Sequence, residues 1–559
     1  MKLNISKKSI LKALTVALLA GSTASCAESF LDVESKTEPN SNSYYANQAQ
    51  AWRALVGCYN GWLMTTTSPG PYGFYLTSIM MSDECYGGGA YGNDYDSQVI
   101  DRFDTRYDPN KSSIMQADWN AYYGGIYRCN MYMQKSEGIA FEDEGLKEQY
   151  AGECRALRAI LYFDAVRLWG NIPLLLEPSS ENLPQADPAD VYAAIFDDLR
   201  YAIDNIPAGA NKDVNDFGRV TRAAAQGLFA RAYLYYTGYY GAEAKYTDGT
   251  AIAAADVLAE LEDLIANGGY SLVADFKDLW PAASLIPVEG STGWAPESTY
   301  AGNANSEVIL SLNVTPQFSY NDGQFSGSNR WLVSLGMRNI TAPMLGLGQG
   351  WGIAPVSRGY VNRFFASNDL RRAASIVDYE KDGVAELADY SRFPNDAKDF
   401  TGIGVRKYTP MQFGNNTPAT SPDGTANFME NGSQNYVVLR LADVMLMAAE
   451  LGSPNAADYL HQIRSRAGLG DIAVNKQNIM GERARELAFE GIRYWDLMRQ
   501  GVETMADAII ASQEDVTDGG QAARITYDRA KIIEKQGLCQ IPSDQITLSH
   551  GVLKQNPGW

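Results

Sequence analysis

The chain lacks most of what enzymatic chemistry requires. Only two histidines are present, His461 and His550, and neither stands near a nucleophile signature, which argues against a catalytic triad or a zinc–histidine centre. No G-x-x-x-x-G-K-[ST] loop or dinucleotide fingerprint occurs, so nucleotide chemistry is not indicated. Basic charge is scarce: 46 Lys and Arg face 66 Asp and Glu, a formal charge of −20. Nucleic acid and anionic lipid both demand basic patches, and the composition argues against either as a partner. Beyond the N-terminus no stretch reaches the roughly 20 apolar residues that a membrane-spanning helix needs. Cysteine is sparse, six in all and without a C-x-x-C pair. With Cys26 set aside, Cys58, Cys85, Cys129, Cys154 and Cys539 form neither a disulfide framework nor a zinc pattern, and buried thiols are the expectation. No cofactor and no metal is expected. A glycoside hydrolase needs only two carboxylates, however, and so many acids do not exclude one.

What is present begins at the N-terminus. Lys2, Lys7, Lys8 and Lys12 precede an apolar run from Ala13 to Ala20, then small residues and Cys26. A basic region followed by a short apolar one reads as an export signal over residues 1–25. Thr23-Ala-Ser-Cys26 is a loose lipidation site, lacking the usual Leu three residues before the Cys. Cleavage near Ala24 by an ordinary signal peptidase is the alternative.

Residues 26–45 are polar and turn-rich, as a tether would be. From 46 to 270 helical periodicity dominates, with helices expected over 47–63, 119–135, 146–169, 188–206, 221–236 and 252–266. In the fifth of these Ala223, Gly227 and Ala230 make a small-residue face suited to a close helix neighbour. From about 270 to 435 Gly, Pro, Asn, Ser, Tyr and Trp become frequent, and short runs such as Val308–Leu312 read as strands. Helices return over 439–451, 454–467 and 476–500.

Tyr occurs 34 times and Trp 10 times, unevenly. One Gly-rich loop carries Asp83, Tyr86, Tyr91, Asn93, Asp94, Tyr95 and Asp96, with Arg102 shortly after. A second segment runs from Trp331 to Trp351-Gly-Ile-Ala-Pro355, with Trp294 and Tyr320 earlier in the same region. A flat ring under the apolar face of a sugar, with Asn, Asp or Arg at its hydroxyl edge, satisfies both surfaces of a saccharide. Neighbouring glycines favour display over burial, because they let the backbone turn sharply and leave rings uncovered. Each ring taken singly is as readily explained as core. The expected ligand contacts are Trp351 first, then Tyr91, Asn93 and Tyr95, with Tyr86, Arg102, Trp294 and Trp331 in support. Asp94, Asp96, Asp101 and Asp104 lack the Gly and Glu spacing of a known calcium loop and read as a solvated acidic loop.

Residues 480–501 are the most patterned stretch. Glu482 and Arg485, Glu490 and Arg493, and Asp496 and Arg499 each stand three apart, at pairing distance on one helical turn. Leu487, Gly491, Trp495 and Met498 form a buried stripe between them. On these grounds the segment is a core helix with a salt-laced outer face. Its pattern, E-R-x-R-E-L-A-F-E-G-x-R-x-x-D-L-x-R-x-G, closely resembles the late helix of SusD/RagB-family proteins. Leu439-Arg-Leu-Ala-Asp443 through Glu450, Leu460 through Arg466-Ala-Gly468, Glu153 through Pro173, and the terminal Gln555-Asn-Pro-Gly-Trp559 resemble further segments of that family, in its order.

The resemblance implies a mostly α fold: a tetratricopeptide-like helical scaffold over 46–270, and a C-terminal region over 271–559 with a loop-rich binding segment, short strands and closing helices. It also implies diacylation of Cys26 and anchorage in the outer membrane facing the exterior. The implied task is capture of oligosaccharide and its delivery to a SusC-like TonB-dependent transporter, without catalysis. Peptide cargo, as in RagB-like members, is the nearest alternative, and a surface glycosidase or a bare scaffold are more distant ones.

Overall fold

A computed structural model describes residues 45–67, 72–92, 96–107, 111–290, 293–314, 331–339, 345–387, 390–413, 417–418 and 434–559. Cys26, the signal and nearly all of the tether, and also Asn93, Asp94, Tyr95 and Tyr320, lie outside the described residues.

The first half is helical. It comprises α1 (Gln48–Thr67), α2 (Gly73–Met80), β1 (Gly89–Ala90), α3 (Asp96–Arg102), α4 (Gln116–Ser136), α5 (Glu144–Trp169), α6 (Pro188–Asn205), α7 (Arg222–Tyr239) and α8 (Ala254–Asn267). Sequential neighbours pack as pairs, α5 on α6, α6 on α7 and α7 on α8, in the manner of stacked helical hairpins. Local chemistry sets their starts. Asp143 accepts from the backbone N–H groups of Gly145 and Leu146, Asp187 caps a helix with Pro188 at its first position, and Thr221 accepts from Ala224. Helix α5 is buried on most sides, from Leu157 through Trp169. Gly227 does admit a close neighbour, but it is Leu439 of a strand rather than a helix: a Cβ at 227 would meet its Cδ2 at 2.4 Å. Among the described residues no helix is long and apolar enough to cross a membrane.

The second half supplies short two-stranded pairings and the closing helices. The elements that matter below are β2 (Val308–Leu312), α9 (Trp331–Leu335), β3 (Met337–Arg338), β4 (Gln349–Gly350), β5 (Ala397–Lys398), β6 (Tyr436–Arg440), α10 (Leu441–Glu450), α11 (Ala456–Arg466), α12 (Lys476–Glu486), α13 (Arg493–Met498), β7 (Asp515–Asp518) and β8 (Gln521–Arg524). Strand β2 pairs antiparallel with β6, β3 runs parallel to β4, and β7 and β8 form a hairpin. One hydrophobic core runs through the helical layer and the closing helices, and a smaller one gathers Leu285, Met337, Leu347, Tyr379 and Phe393.

The expected single helix over 476–500 is two helices. Phe489 (φ 59°) and Gly491 (φ 74°) take left-handed backbone between α12 and α13, a conformation no continuous helix contains. The expected outer face is also absent, because the charges point inward. Arg440, only 1% exposed, reaches Glu307 (2.8 Å), Glu486 (2.6 Å) and Glu490 (2.8 Å). Arg371 joins Asp369, Glu482 and Glu486, and Arg466 joins Glu307 and Glu486. Arg483 bridges Asp443 and Asp496, and Arg499 bridges Asp496 and Glu450. Two of the expected three-apart pairs form, Asp496 with Arg499 at 2.9 Å and Glu482 with Arg485 at 3.6 Å. The third does not. Glu490 pairs with Lys407 and Arg440, while Arg493 turns to Asp83 across the core at 2.8 Å. The signature acids and arginines therefore weld β6, α10, α11, α12 and α13 together. Each buried charge is met by several partners, the condition under which burial is tolerated. The arginines around Glu486 hold its carboxyl well below the usual carboxylate range against the opposing effect of burial.

Cys58, Cys85, Cys129, Cys154 and Cys539 are all unbridged and buried, as expected.

Candidate functional site

The two Gly-rich loops meet. Residues 85–88 run beside 353–356: Tyr86 N–H donates to Pro355 O (2.9 Å), Gly88 N–H donates to Ile353 O (2.6 Å), and Cys85 bridges Val356. Glycine is required at this crossing. A Cβ on Gly88 would lie 2.6 Å from Pro355 Cδ and 2.8 Å from Gly352 O. Strand β1 then pairs with β5, Gly89 opposite Lys398 and Ala90 opposite Ala397, and Tyr91 N–H donates to Asp396 O at 2.9 Å.

Trp351 is clamped from the other side. Its N–H donates to Val333 O (2.7 Å) at the end of α9, and the next two amides donate to Gly336 and Ser334. Gly336 and Gly350 touch backbone to backbone; a Cβ on Gly350 would fall 2.4 Å from Gly336 Cα. The ring is left half-buried.

Between Trp351 and Tyr91 lies a polar cluster. Asp396 Oδ2 accepts from Arg338 Nε (2.8 Å) and from Asn339 Nδ2 (2.6 Å). Asp396 is 41% exposed and Arg338 20% exposed, so both remain reachable by a ligand. Arg338 Cβ also lies beside Gly352, where a Cβ would meet it at 3.4 Å. Tyr91, 53% exposed, lies across the tip of the β7–β8 hairpin. A Cβ at Gly519 would stand 2.5 Å from that ring, and one at Gly520 would strike Asn395 at 2.3 Å. The result brings together a half-buried Trp, an exposed Tyr, and carboxylate, guanidinium and amide groups.

Of the residues expected from sequence, Trp351 and Tyr91 belong to this patch, and the segment holding Asn93 and Tyr95 follows Tyr91 directly. Three others do not reach solvent. Tyr86 is fully buried, its hydroxyl within hydrogen-bond reach of Ser357, Ser512 O and Glu514, so it pins the loop from beneath. Arg102 is buried between Asp101 and Asp399 and lies 5.0 Å over the Tyr527 ring. Trp331 is core, its ring centroid 4.1 Å from Tyr75 and 4.9 Å from Tyr408. Each rests in an apolar or fully satisfied environment, where the residue type carries no information about display. Trp294 is half-buried against the smaller core beside Gly346. The described acids of the supposed acidic loop are each paired: Asp101 with Arg102, Asp104 with Arg106 and Lys531, Asp96 with Lys111. They are ion-pair partners rather than the expected solvated acidic loop.

Sequence reading missed Arg338, Asn339, Asn395 and Asp396, which carry no motif. The Gly519 and Gly520 tip was legible as Asp518-Gly-Gly between two short strands, a hairpin signal.

Two family models match the chain. One, described as the SusD family, matches residues 293–559. The other, described as starch-binding associating with outer membrane, matches residues 26–234. A SusD-like protein of Bacteroides ovatus is 23% identical over 508 residues, covering 87% of this chain and 82% of its own. Among solved structures, a laminarin binding SusD-like protein superposes with a TM-score of 0.70 at 27% identity, covering 92% of this chain and all of the other. Surface glycan-binding protein A from Bacteroides thetaiotaomicron, in complex with laminarihexaose, superposes at 0.71 with 22% identity over 91% of this chain. With its helical-hairpin scaffold, its inward-facing charge lattice and these matches along most of its length, the chain belongs to the SusD family.

Proposed function

We propose that this protein captures oligosaccharide at the bacterial surface and passes it to a SusC-like TonB-dependent transporter. The observation that carries the reading is the surface formed by Trp351 and Tyr91 around Asp396, Arg338 and Asn339. Rings of this kind accept the CH face of a pyranose, and the polar cluster between them matches its hydroxyl edge. Binding at such a site is expected to be weak. Asn93 and Tyr95, two and four residues on from Tyr91 in sequence, are part of the proposal as further contacts. Names of relatives that bind laminarin and starch support a glucan or similar neutral glycan as cargo. The remaining parts of the reading are an export signal over 1–25, a lipid anchor at Cys26 in the outer membrane, a tether to residue 45, a scaffold over 46–270 that braces the transporter, and a binding region over 271–559. No catalytic step is assigned.

Calorimetric titration of the purified protein with a panel of polysaccharides and peptides tests this. One glycan class is expected to bind, and Trp351→Ala is expected to weaken it roughly 10- to 100-fold, the loss typical of a central aromatic anchor, in a variant that circular dichroism shows to be folded. Binding to peptides alone would replace the sugar reading with peptide capture. Cleavage of the bound glycan would replace it with hydrolysis.

A further inference from the structure

Three helices of the scaffold each send one cysteine to the same point. Cys58 comes from α1, Cys129 from α4 and Cys154 from α5, all fully buried, with their sulfurs within 4.8 Å of one another. The Cys58 and Cys154 Sγ atoms are 3.9 Å apart. The convergence is built by glycine. Helices α1 and α4 cross at Gly61 and Gly125, so closely that a Cβ on Gly61 would lie 2.8 Å from Gly125 Cα. Cys58 stands about one turn before that crossing and Cys129 about one turn beyond it, which places the two thiols opposite each other on antiparallel helices. Leu161 of α5 presses on Gly125 from the third side, with a would-be Cβ there 2.8 Å from its Cδ1, and Cys154 lies two turns earlier on the same helix.

The separations are those of a thiolate cage rather than of a disulfide. A disulfide holds its sulfurs at about 2.05 Å. A cation about 2.3 Å from each of three sulfurs occupies the centre of a triangle of side about 4 Å. Arg158, one turn along α5 from Cys154, is fixed by Asp198 at 2.8 and 2.9 Å, and burial raises the Cys154 thiol, so a cation must displace its proton. The buried Tyr132 hydroxyl has no hydrogen-bond partner and lies within electrostatic reach of Cys154 and Cys58.

We propose that Cys58, Cys129 and Cys154 form a trigonal site for a soft monovalent cation, Cu(I). No histidine or carboxylate of the described residues joins the group, which leaves zinc without its usual fourth ligand. Calcium and magnesium require oxygen donors, whereas thiolates select Cu(I). On binding, three S–Cu bonds form as three S–H protons pass to solvent, with no change in oxidation state. The complex carries two excess negative charges; of the cations near it in sequence, Arg158 is already paired with Asp198 and Arg128 lies at the surface. Because the sulfurs are closed off, the ion enters when the helices open or as they fold.

The test uses the full chain under anaerobic, reducing conditions, titrated with Cu(I) presented as its bicinchoninate complex. It is run on the native protein and during refolding from denaturant. Withdrawal of one Cu(I) per chain is expected in at least the refolding arm, with X-ray absorption reporting three sulfurs at about 2.3 Å. Cys129→Ser, and Cys58→Ala with Cys154→Ala, are expected to abolish withdrawal, while Cys539→Ala retains it. Circular dichroism and Tm confirm that each variant is folded. If the variants of the trio fail to fold, the ligand count in the unaltered protein still decides, and fewer than three sulfurs refutes the site. No withdrawal in either arm, withdrawal that survives loss of the trio, or a mass corresponding to a Cys58–Cys154 disulfide would each overturn the proposal.

Discussion

The closing helices and the loop surface use the same residue types for opposite ends. In the lattice around Glu486, arginine and carboxylate are withdrawn from water, and each charge is shared among several partners. At the surface, Arg338 and Asp396 form one exposed pair with spare hydrogen-bonding capacity. The difference lies in solvation. A buried charge that loses its partner cannot be rescued by water, so the lattice is rigid and intolerant. An exposed pair contributes little to stability and can be rearranged by a ligand. Aromatic residues divide in the same way: Trp331 is packed among Tyr75, Tyr408 and Tyr436, while Trp351 keeps part of its ring in solvent.

The comparison is broken most severely at Arg440. Arg440→Met leaves Glu307, Glu486 and Glu490 short of a shared partner, and a loss of about 3–5 kcal/mol is expected. Chemical denaturation measures it. Glycan affinity of the molecules that remain folded should be unchanged, because the loop surface makes no use of this residue.

A second break concerns Glu84, which sits fully buried between lattice and loop, accepting from Phe489 N–H at 2.7 Å. Burial, with the negative charge of Asp83 adding to it, raises its pKa from 4.5 to about 8. Below pH 4.5 folded and unfolded chains both hold this proton. Between pH 4.5 and 8 the unfolded chain has released it and the folded chain has not, so stability falls as pH rises through that window. Glu84→Gln is expected to flatten the decline, seen as Tm against pH. Asp118 and Asp101, raised by burial to about 7 and about 6, slope the same way and leave part of it. An unchanged slope in the variant would show that Glu84 is ionised in the fold.

The smallest effect sharpens the surface half. Gly519→Ala places a methyl against the Tyr91 ring at a backbone φ of 56°. The strain is expected to cost about 1 kcal/mol, and displacement of the ring should weaken glycan binding a few-fold. Calorimetry alongside a thermal melt separates the two. Wild-type affinity in a strained but folded variant would remove Tyr91 from the binding surface.

Much of the fold was legible because it is local. The six helices expected in the first half announce themselves by periodicity, and their observed ends fall within a few residues of expectation. The break between α12 and α13 was not legible, because Phe489 carries no sign of its left-handed backbone and is held there by tertiary contacts. Charges spaced three apart implied an exposed helical face. That reading failed because the same spacing serves equally when partners arrive from β6, α11 and Asp83, distant in sequence. The two Gly-rich loops that meet in the fold were found as regions, since glycine beside aromatics marks both. Which side chains face out was not, as Tyr86, Trp331 and Arg102 show.

The sequence by itself determined the family, the helical scaffold and the two Gly-rich segments that meet in the fold, because these are written in periodicity, composition and contiguous motifs. Only the tertiary structure decided that Trp351 and Tyr91 share one surface, that Asp396 and Arg338 lie between them, and that three cysteines from separate helices converge. Burial and adjacency are properties of the packed whole; a side chain's chemistry is fixed by its identity, but its exposure is fixed by what folds over it.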